Sequence, residues 1–170
     1  RDIKTADDFL AYLNGIIDDS LTDDFWNIRL PNDLSSTSAR SPSLFAYYAS
    51  LNLLGARGLF SNIKISELLE AGIRSKKSPL ERHHLFPKAY LDRIGIAERR
   101  DQNQIANYAL VEWADNIKIS DKSPADYLNK YAKRFTDRQL KRMMNMHALP
   151  TGWEKMNYHE FLPMRRKMMS

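Results

Sequence analysis

One segment of this chain, residues 80–118, does not fit a bundle of helices, and it limits the choice of fold more than any other feature. It reads LERHHLFPKAYLDRIGIAERRDQNQIANYALVEWADNIK. Pro87 ends any helix after His84, because proline lacks the N–H that a helix interior needs. Residues 108–113 are rich in the aromatic and β-branched types that favour strands. We therefore expect two short strands that flank a loop, followed by a helix.

Helical patterns lie on both sides of this segment. Upstream, apolar spacing and capping residues predict three helices that act as scaffold, at residues 5–18, 41–55 and 66–70, with a loop at residues 30–41. Downstream, helices are predicted to begin at Ser123, Thr136 and Asn157. The sequence thus predicts a mainly α protein with a small element of two strands and a helix, in the α+β class.

Length and the helical blocks suggest how the chain is organised. We expect an N-terminal helical scaffold at residues 1–75, a central core at residues 76–122 and a C-terminal helical block at residues 123–170. A chain of 170 residues suffices for one ordinary domain, so the three parts should form one compact body. Because residue 1 is Arg rather than Met, we expect a fragment or processed form of a longer protein.

The composition excludes several classes of chemistry. There is no cysteine, which removes disulfides, thiolate nucleophiles and cysteine-based metal sites. Any metal ion must therefore be held by His, Asn, Asp or Glu. No run approaches the roughly 20 apolar residues that a bilayer span needs, and the N-terminus lacks a signal segment. We expect a soluble, intracellular protein with no membrane partner.

The net charge of +5 is unevenly distributed. Residues 1–70 carry 6 basic and 10 acidic side chains, whereas residues 71–170 carry 20 basic and 11 acidic ones. A basic surface attracts nucleic acid through its phosphates without reading a sequence. The second part of the chain is therefore the one that would face a polyanion.

Two adjacent histidines are the first candidates for chemistry. His83 and His84 lie on a predicted strand, so their side chains should point to opposite faces. Phosphodiester hydrolysis needs a base, a cation and positive groups, so one imidazole would coordinate and the other would act as a base. The alternative is that the pair is only structural. Its surroundings favour function: a Leu-Phe-Pro-Lys run follows, then Asn107-Tyr-Ala-Leu, and Asn116 comes nine residues after Asn107.

These residues resemble the HNH endonucleases, also called ββα-metal or His-Me finger nucleases. The family pattern falls on His83-His84 with Pro87, on Asn107 with Leu110, and on Asn116, and it covers about 40 of the 170 residues. The resemblance implies that the central core is a ββα-metal element.

The resemblance also implies a role for each matched residue. His84 would be the general base that takes a proton from the attacking water. His83 and Asn116 would be ligands of one divalent cation, which binds the scissile phosphate and the leaving 3′-oxygen. Asn107 would tie the loop together and orient the His84 ring through its amide.

The sequence restricts the identity of the metal ion and of the phosphate-binding residues less than it restricts the roles of the matched residues. Many relatives have Asp in place of His83 and His in place of Asn116, so the ligand set here lacks a motif carboxylate. We expect Mg²⁺ or Mn²⁺, with Ni²⁺ or Zn²⁺ as alternatives that suit imidazole. Lys118, and also Lys88 and Lys122, are candidates to hold the DNA backbone, the alternative being solvated surface lysines.

The wider chain is similar to the C-terminal nuclease region of GmrSD-like proteins. This likeness adds an upstream Ser38-x-Arg40-x-Pro42 pattern to the His-His-x-Phe-Pro-Lys motif. In those bacterial proteins an N-terminal ParB-like nucleotide-hydrolysing domain senses modified phage DNA and the HNH domain cuts. The resemblance implies the cytoplasmic effector domain of a bacterial anti-phage restriction system, with such a sensor domain and DNA as partners.

Two other functions remain open from the sequence. One is a non-catalytic nucleic-acid-binding module with a degenerate HNH motif, which would not depend on a metal ion. The other is a nuclease with RNA as its substrate. Tyr108 and Trp113 near the motif are expected to belong to the core rather than to stack on bases.

Overall fold

The computed structural model describes residues 3–38, 40–74 and 79–170 of the chain, and its description of residues 71–74 concerns the backbone. The helices, in chain order, are α1 (Ala6–Ser20), α2 (Leu30–Asp33), α3 (Pro42–Leu53), α4 (Ile65–Arg74), α5 (Lys88–Arg93), α6 (Arg99–Gln102), α7 (Trp113–Ile119), α8 (Pro124–Ala132), α9 (Asp137–Met146) and α10 (Tyr158–Met169). The strands are β1 (Leu80–His84) and β2 (Tyr108–Glu112). The predicted mainly helical α+β class is confirmed. Across the described ranges, no helix is both long and apolar enough to cross a membrane.

Helix α1 begins as predicted, but its apolar side chains are exposed. The Thr5 hydroxyl accepts from the Asp8 N–H at 3.1 Å, and the Asp8 carboxylate accepts from the Thr5 N–H at 3.1 Å, which completes a capping box. The apolar side chains of α1 nevertheless stay 36% to 55% exposed, and none of its residues is buried. Apolar spacing shows which side chains share a face, but not whether another element covers that face.

The other upstream predictions need smaller corrections. A π-helical turn at Phe25–Arg29 continues into α2, so the predicted loop at residues 30–41 is helical at its start. Pro31 follows the π-helical turn directly, at the second residue of α2. Helix α4 runs past the predicted end at residue 70 to Arg74. The predicted boundary between residues 75 and 76 lies outside the described residues.

The central segment forms the predicted strands and helix. β1 pairs antiparallel with β2, with Leu80 opposite Glu112 and His84 opposite Tyr108. Helix α7 begins at the residue after β2, so Trp113 starts the helix instead of ending the strand. Tyr108 is buried as expected, whereas the side chain of Trp113 is 44% exposed. The order of two strands and a helix places the end of β1 beside α7.

Side chains from all three predicted segments meet in the main core. It contains Leu59 and Phe60 from the upstream part, and residues of both strand segments and of the downstream helices: Leu85, Phe86, Leu91, Ala106, Ala109, Val111, Ile119, Tyr127, Tyr131, Met143, Leu149, Trp153, Tyr158, Phe161 and Leu162. The loop after β1 and the end of α7 are therefore held by packing from several helices. Burial of this apolar surface is the main stabilising contribution.

A buried arginine ties the C-terminal helix to the strands. Arg165 on α10 is fully buried and donates to the carbonyl oxygen of Ala106 at 2.7 Å, to the Tyr47 hydroxyl at 3.0 Å and to the carbonyl oxygen of His147 at 3.1 Å. Ala106 directly precedes Asn107 and β2. The C-terminal block thus supports the backbone that leads into the second strand.

The buried His147 should make the fold sensitive to acid. Its Nε2 lies 2.8 Å from the carbonyl oxygen of Arg57, and burial lowers its pKa to about 4. Between pH 6.5 and 4 the unfolded chain binds a proton on this side chain that the folded chain excludes, so stability falls as pH falls. Relative to an unfolded pKa of about 6.5, the expected loss from this group between pH 7.5 and pH 4.5 is about 2–3 kcal/mol.

Urea unfolding of wild type and His147→Gln at pH 7.5, 5.5 and 4.5 measures this contribution. A glutamine amide N–H keeps a donor for the Arg57 carbonyl oxygen but does not titrate, so the variant should lose less stability on acidification. His83 and His84 titrate equally in both proteins, and the difference isolates His147. Parallel stability profiles for the two proteins would show that His147 does not contribute.

Candidate functional site

The two histidines line a surface cavity of about 370 Å³ at the end of β1. Its walls come from β1, the start of α5 and the end of α7, and they comprise Arg82, His83, His84, Pro87, Lys88, Ala89, Asn116, Ser120 and Asp121. Three of the residues predicted to carry chemistry, His83, His84 and Asn116, thus meet in one place. The backbone turn at Pro87 brings Lys88 to the same cavity.

His83 and His84 point to opposite faces of β1, as the strand period requires. His83 is 4% exposed and its ring packs edge-on against Tyr127 of α8, with ring centroids 5.8 Å apart. His84 lies on the other face, edge-on against the Tyr108 ring at 4.8 Å. The two imidazoles therefore have different surroundings although they are adjacent in the chain.

His83 pairs with Asn116 of α7. Its Nδ1 lies 2.9 Å from the Asn116 Oδ1, a hydrogen bond in which the ring N–H donates to the amide oxygen. The buried Nε2 has no hydrogen-bond partner among the described residues. Burial lowers the pKa of His83 to about 4, despite the opposing effect of the bond to Asn116. The ring is therefore neutral near pH 7, which is the form that binds metals.

The His83 and Asn116 pair fits a divalent cation. Metal binding through Nδ1 requires the other tautomer, with the ring hydrogen on Nε2, so that the cation replaces the hydrogen bond to Asn116. Two ligands on adjacent corners of an octahedron, each about 2.1 Å from Mg²⁺, lie about 3 Å apart, close to the 2.9 Å between these two atoms. In the part of the chain that the structure describes, no group of three or more His, Cys, Asp or Glu side chains could hold a metal ion. Mg²⁺ commonly keeps several waters and binds through one or two protein groups plus substrate phosphates. The two residues suit that mode of binding.

His84 is held by an amide that the sequence analysis did not single out. Its Nε2 lies 3.0 Å from the Asn103 Oδ1, and the Tyr108 hydroxyl donates to the same oxygen at 3.4 Å. Because an amide oxygen only accepts, Nε2 carries the hydrogen and Nδ1 keeps its lone pair. Nδ1 has no hydrogen-bond partner among the described residues. The ring thus presents an unprotonated nitrogen that is available to accept a proton.

The His84 imidazole is neutral at physiological pH. Burial is the main effect that lowers its pKa to about 4, and the charges of Lys88 and Arg82 lower it further. The hydrogen bond to Asn103 opposes this shift. Both cations belong to the lining of the same cavity, so any anion bound there would weaken their effect on the ring.

Asn107 does not orient the His84 ring, so that prediction was wrong. Its fully buried amide donates to the carbonyl oxygens of Phe86 at 3.1 Å and Gln102 at 3.0 Å. Its Oδ1 accepts from the Phe86 N–H at 2.9 Å. Asn107 therefore ties the loop after β1 to the turn before β2. Its side chain points inward from that turn, while Asn103, four residues earlier, reaches the ring.

The structure brings one of the three candidate lysines to the cavity. Lys88 lines it, whereas Lys118 and Lys122 are exposed and lie outside its lining. The Lys122 ammonium donates to the carbonyl oxygens of Lys118 at 2.9 Å and Ile119 at 3.4 Å. It thereby caps the C-terminal end of α7, a common position for a lysine.

Arg82 and Asn103 are the site residues that sequence reasoning missed. The Arg82 guanidinium lies 4.7 Å from the centre of the Tyr108 ring, on the side of the strand that carries His84. Strand alternation could have identified it, since Arg82 comes two residues before His84. No comparable signal marked Asn103. Asp121 also lines the cavity, but its carboxylate accepts from Arg93 at 2.7 Å.

Comparisons of the chain with models of protein families, with curated proteins and with solved structures found no match. The geometry and chemistry of the site are therefore the basis for its function.

Proposed function

We propose that this chain is a metal-dependent HNH-type endonuclease that hydrolyses or nicks DNA phosphodiester bonds. One observation carries the proposal. A neutral His84 with an available ring nitrogen shares a cavity with the His83–Asn116 pair, and Arg82 and Lys88 flank both. This arrangement supplies a base, a cation site and positive groups, which are the three requirements of phosphodiester hydrolysis.

His84 acts as the general base. Its Nδ1 takes a proton from the attacking water, while Asn103 holds the Nε2–H and so maintains the required tautomer. A pKa of about 4 keeps the ring neutral but makes it a weak base. A bound phosphate next to Lys88 and Arg82 offsets their charge and raises the pKa of the ring. Substrate binding therefore makes His84 a better base.

His83 and Asn116 would hold the divalent cation. When bound, such an ion stabilises negative charge on the scissile phosphate and on the leaving oxygen. An amide oxygen together with an imidazole nitrogen suits Mn²⁺ well and Mg²⁺ adequately. Buried His83 stays neutral near pH 7, so its Nδ1 becomes a ligand once the single ring hydrogen moves from Nδ1 to Nε2.

The substrate is a polynucleotide that carries its phosphates past Arg82 and Lys88. These cations lie at the cavity, and the excess of basic residues after residue 70 extends the attraction. In line with the resemblance to GmrSD-like proteins, we propose duplex DNA as the substrate. We further propose that the chain is the cytoplasmic effector of a bacterial anti-phage restriction system, and that it acts with a ParB-like sensor domain.

Plasmid cleavage tests this function. Supercoiled plasmid is incubated with the protein in EDTA, Mg²⁺, Mn²⁺ or Ni²⁺, and matched lengths of duplex DNA, single-stranded DNA and RNA are compared. We expect nicking or linearisation that requires a metal ion and is lost in EDTA. DNA binding without cleavage under any metal would instead favour a non-catalytic binding module.

Asn103→Ala should lower the cleavage rate about 10- to 100-fold, the range typical of residues that orient a functional group. Without the amide oxygen, the His84 proton is no longer confined to Nε2. ¹⁵N NMR of the imidazole should therefore show loss of the Nε2–H tautomer, which a purely structural role would not cause. Asn103→Asp keeps an oxygen acceptor and should restore that tautomer. Unchanged tautomer and rate in Asn103→Ala would refute the positioning role.

A further inference from the structure

A second cavity, of about 240 Å³, lies between residues 55–64 and helix α9. It shares no lining residue with the cavity at His84. Three cationic side chains line it, Arg57, Lys64 and Arg142, and none of the described residues in its lining is acidic. Its positive character thus arises from residues that the proposed nuclease chemistry does not use.

Two of these cations, Arg57 and Lys64, lie opposite each other, where their like charges repel. Arg57 and Lys64 are partners in an isolated antiparallel bridge, so their side chains leave the backbone on the same side. Like charges directly opposite each other destabilise a pair of strands. Within the described ranges neither residue, nor Arg142, forms an ion pair with a carboxylate. A bound anion between them would remove this repulsion.

The cavity is also held in shape by neutral contacts. The Arg57 guanidinium donates to the Asn62 Oδ1 at 3.1 Å, and the Arg57 carbonyl oxygen accepts from the Nε2–H of buried His147. Gln139 and Arg142 lie three residues apart on α9, so they occupy one face of the helix. Arg57 is thereby anchored to the end of α9, which presents the third cation. The guanidinium of Arg57, held by Asn62, keeps further N–H donors that suit phosphate oxygens.

We propose that this cavity binds a phosphate group. Its volume is smaller than the roughly 300–1,000 Å³ of pockets that hold whole drug-sized ligands, so it suits the phosphate itself rather than a base and sugar. The phosphate comes either from the backbone of bound DNA or from a free anion of the pyrophosphate type. This site is independent of the proposed hydrolysis at His84.

Pyrophosphate binding tests the free-anion source. Calorimetric titration at constant ionic strength, with sodium chloride as the blank, compares wild type with Lys64→Gln/Arg142→Gln. The matched control is Arg138→Gln/Lys141→Gln, which removes two charges from exposed positions of α9 outside the cavity. We expect the cavity variant to lose at least about tenfold in affinity and the control to retain it. Circular dichroism establishes that both variants are folded.

DNA binding in EDTA, measured with the same proteins, tests whether the phosphate comes from the backbone of bound DNA. One phosphate contact contributes about tenfold in affinity near 0.1 M salt and about one unit of the salt slope. If DNA supplies the phosphate, the cavity variant should bind DNA about tenfold more weakly than the control and with the lower slope. If a free anion supplies it, only pyrophosphate binding should change. Cavity and control variants that behave alike in both assays would overturn the proposal, whether or not the protein cleaves DNA.

Discussion

Replacement of His84 by alanine should reduce plasmid cleavage by about 10²- to 10⁴-fold, the usual contribution of a general base. The affinity for DNA should change by less than about twofold, because a base acts on the transition state and contributes little to ground-state binding. The reason is structural: Nδ1 of His84 is the ring nitrogen left to accept a proton, since Nε2 is held by Asn103.

Single-turnover cleavage in Mn²⁺ and DNA binding in EDTA measure these two quantities. His159→Ala is the matched control, since His159 is exposed on α10 and does not line the cavity. The control should cleave at the wild-type rate. Full cleavage by His84→Ala would remove His84 from the mechanism, and a joint loss of cleavage and binding would indicate a role in holding DNA.

Asn107→Ala should have the largest effect on stability among the site variants. The change removes three hydrogen bonds and takes the Asn107 amide away from the buried N–H and carbonyl of Phe86, while the carbonyl of Gln102 keeps a longer bond from the Tyr158 hydroxyl at 3.5 Å. Each unpaired buried group costs about 1–3 kcal/mol, so we expect a loss of about 3–5 kcal/mol in the free energy of unfolding. For a chain of this size the melting temperature should fall by about 6–20 °C.

Urea and thermal unfolding of Asn107→Ala beside Asn103→Ala tests this assignment. Among the described residues, the Asn103 side chain forms hydrogen bonds with the partly exposed ring of His84 and with the Tyr108 hydroxyl, so its loss should cost less than about 1 kcal/mol. Asn107→Ala should therefore lose activity because the fold is destabilised. Asn103→Ala should lose activity because the His84 ring no longer keeps its Nε2–H tautomer. An Asn107→Ala protein of wild-type stability would contradict the contacts with Phe86 and Gln102.

Local rules predicted the elements that depend on neighbouring residues. The capping box at Thr5 and Asp8 formed as expected, because both partners lie within one turn of chain. The opposite orientation of His83 and His84 followed from the strand period alone. The strand pair and the helix after it were likewise predicted from Pro87 and from the composition of residues 108–113.

Those local rules could not predict contacts between residues that are distant in the chain. The partner of the His84 ring is Asn103 rather than Asn107, and either amide lies within reach when only the spacing is known. Lys122 was predicted to hold the DNA backbone, but its ammonium donates to the Lys118 carbonyl oxygen at the end of α7. The second cavity joins Arg57 and Lys64 to Arg142, about 80 residues apart in the chain.

The sequence by itself determined the mainly helical class, the place of the two strands and the residue types available for chemistry. These properties depend on backbone preferences and on spacing within a few residues. Only the tertiary structure decided that His83 meets Asn116, that His84 meets Asn103 and that the apolar face of α1 stays uncovered. Those outcomes depend on how the whole core packs, because burial brings together side chains whose separation along the chain says nothing about their distance in space.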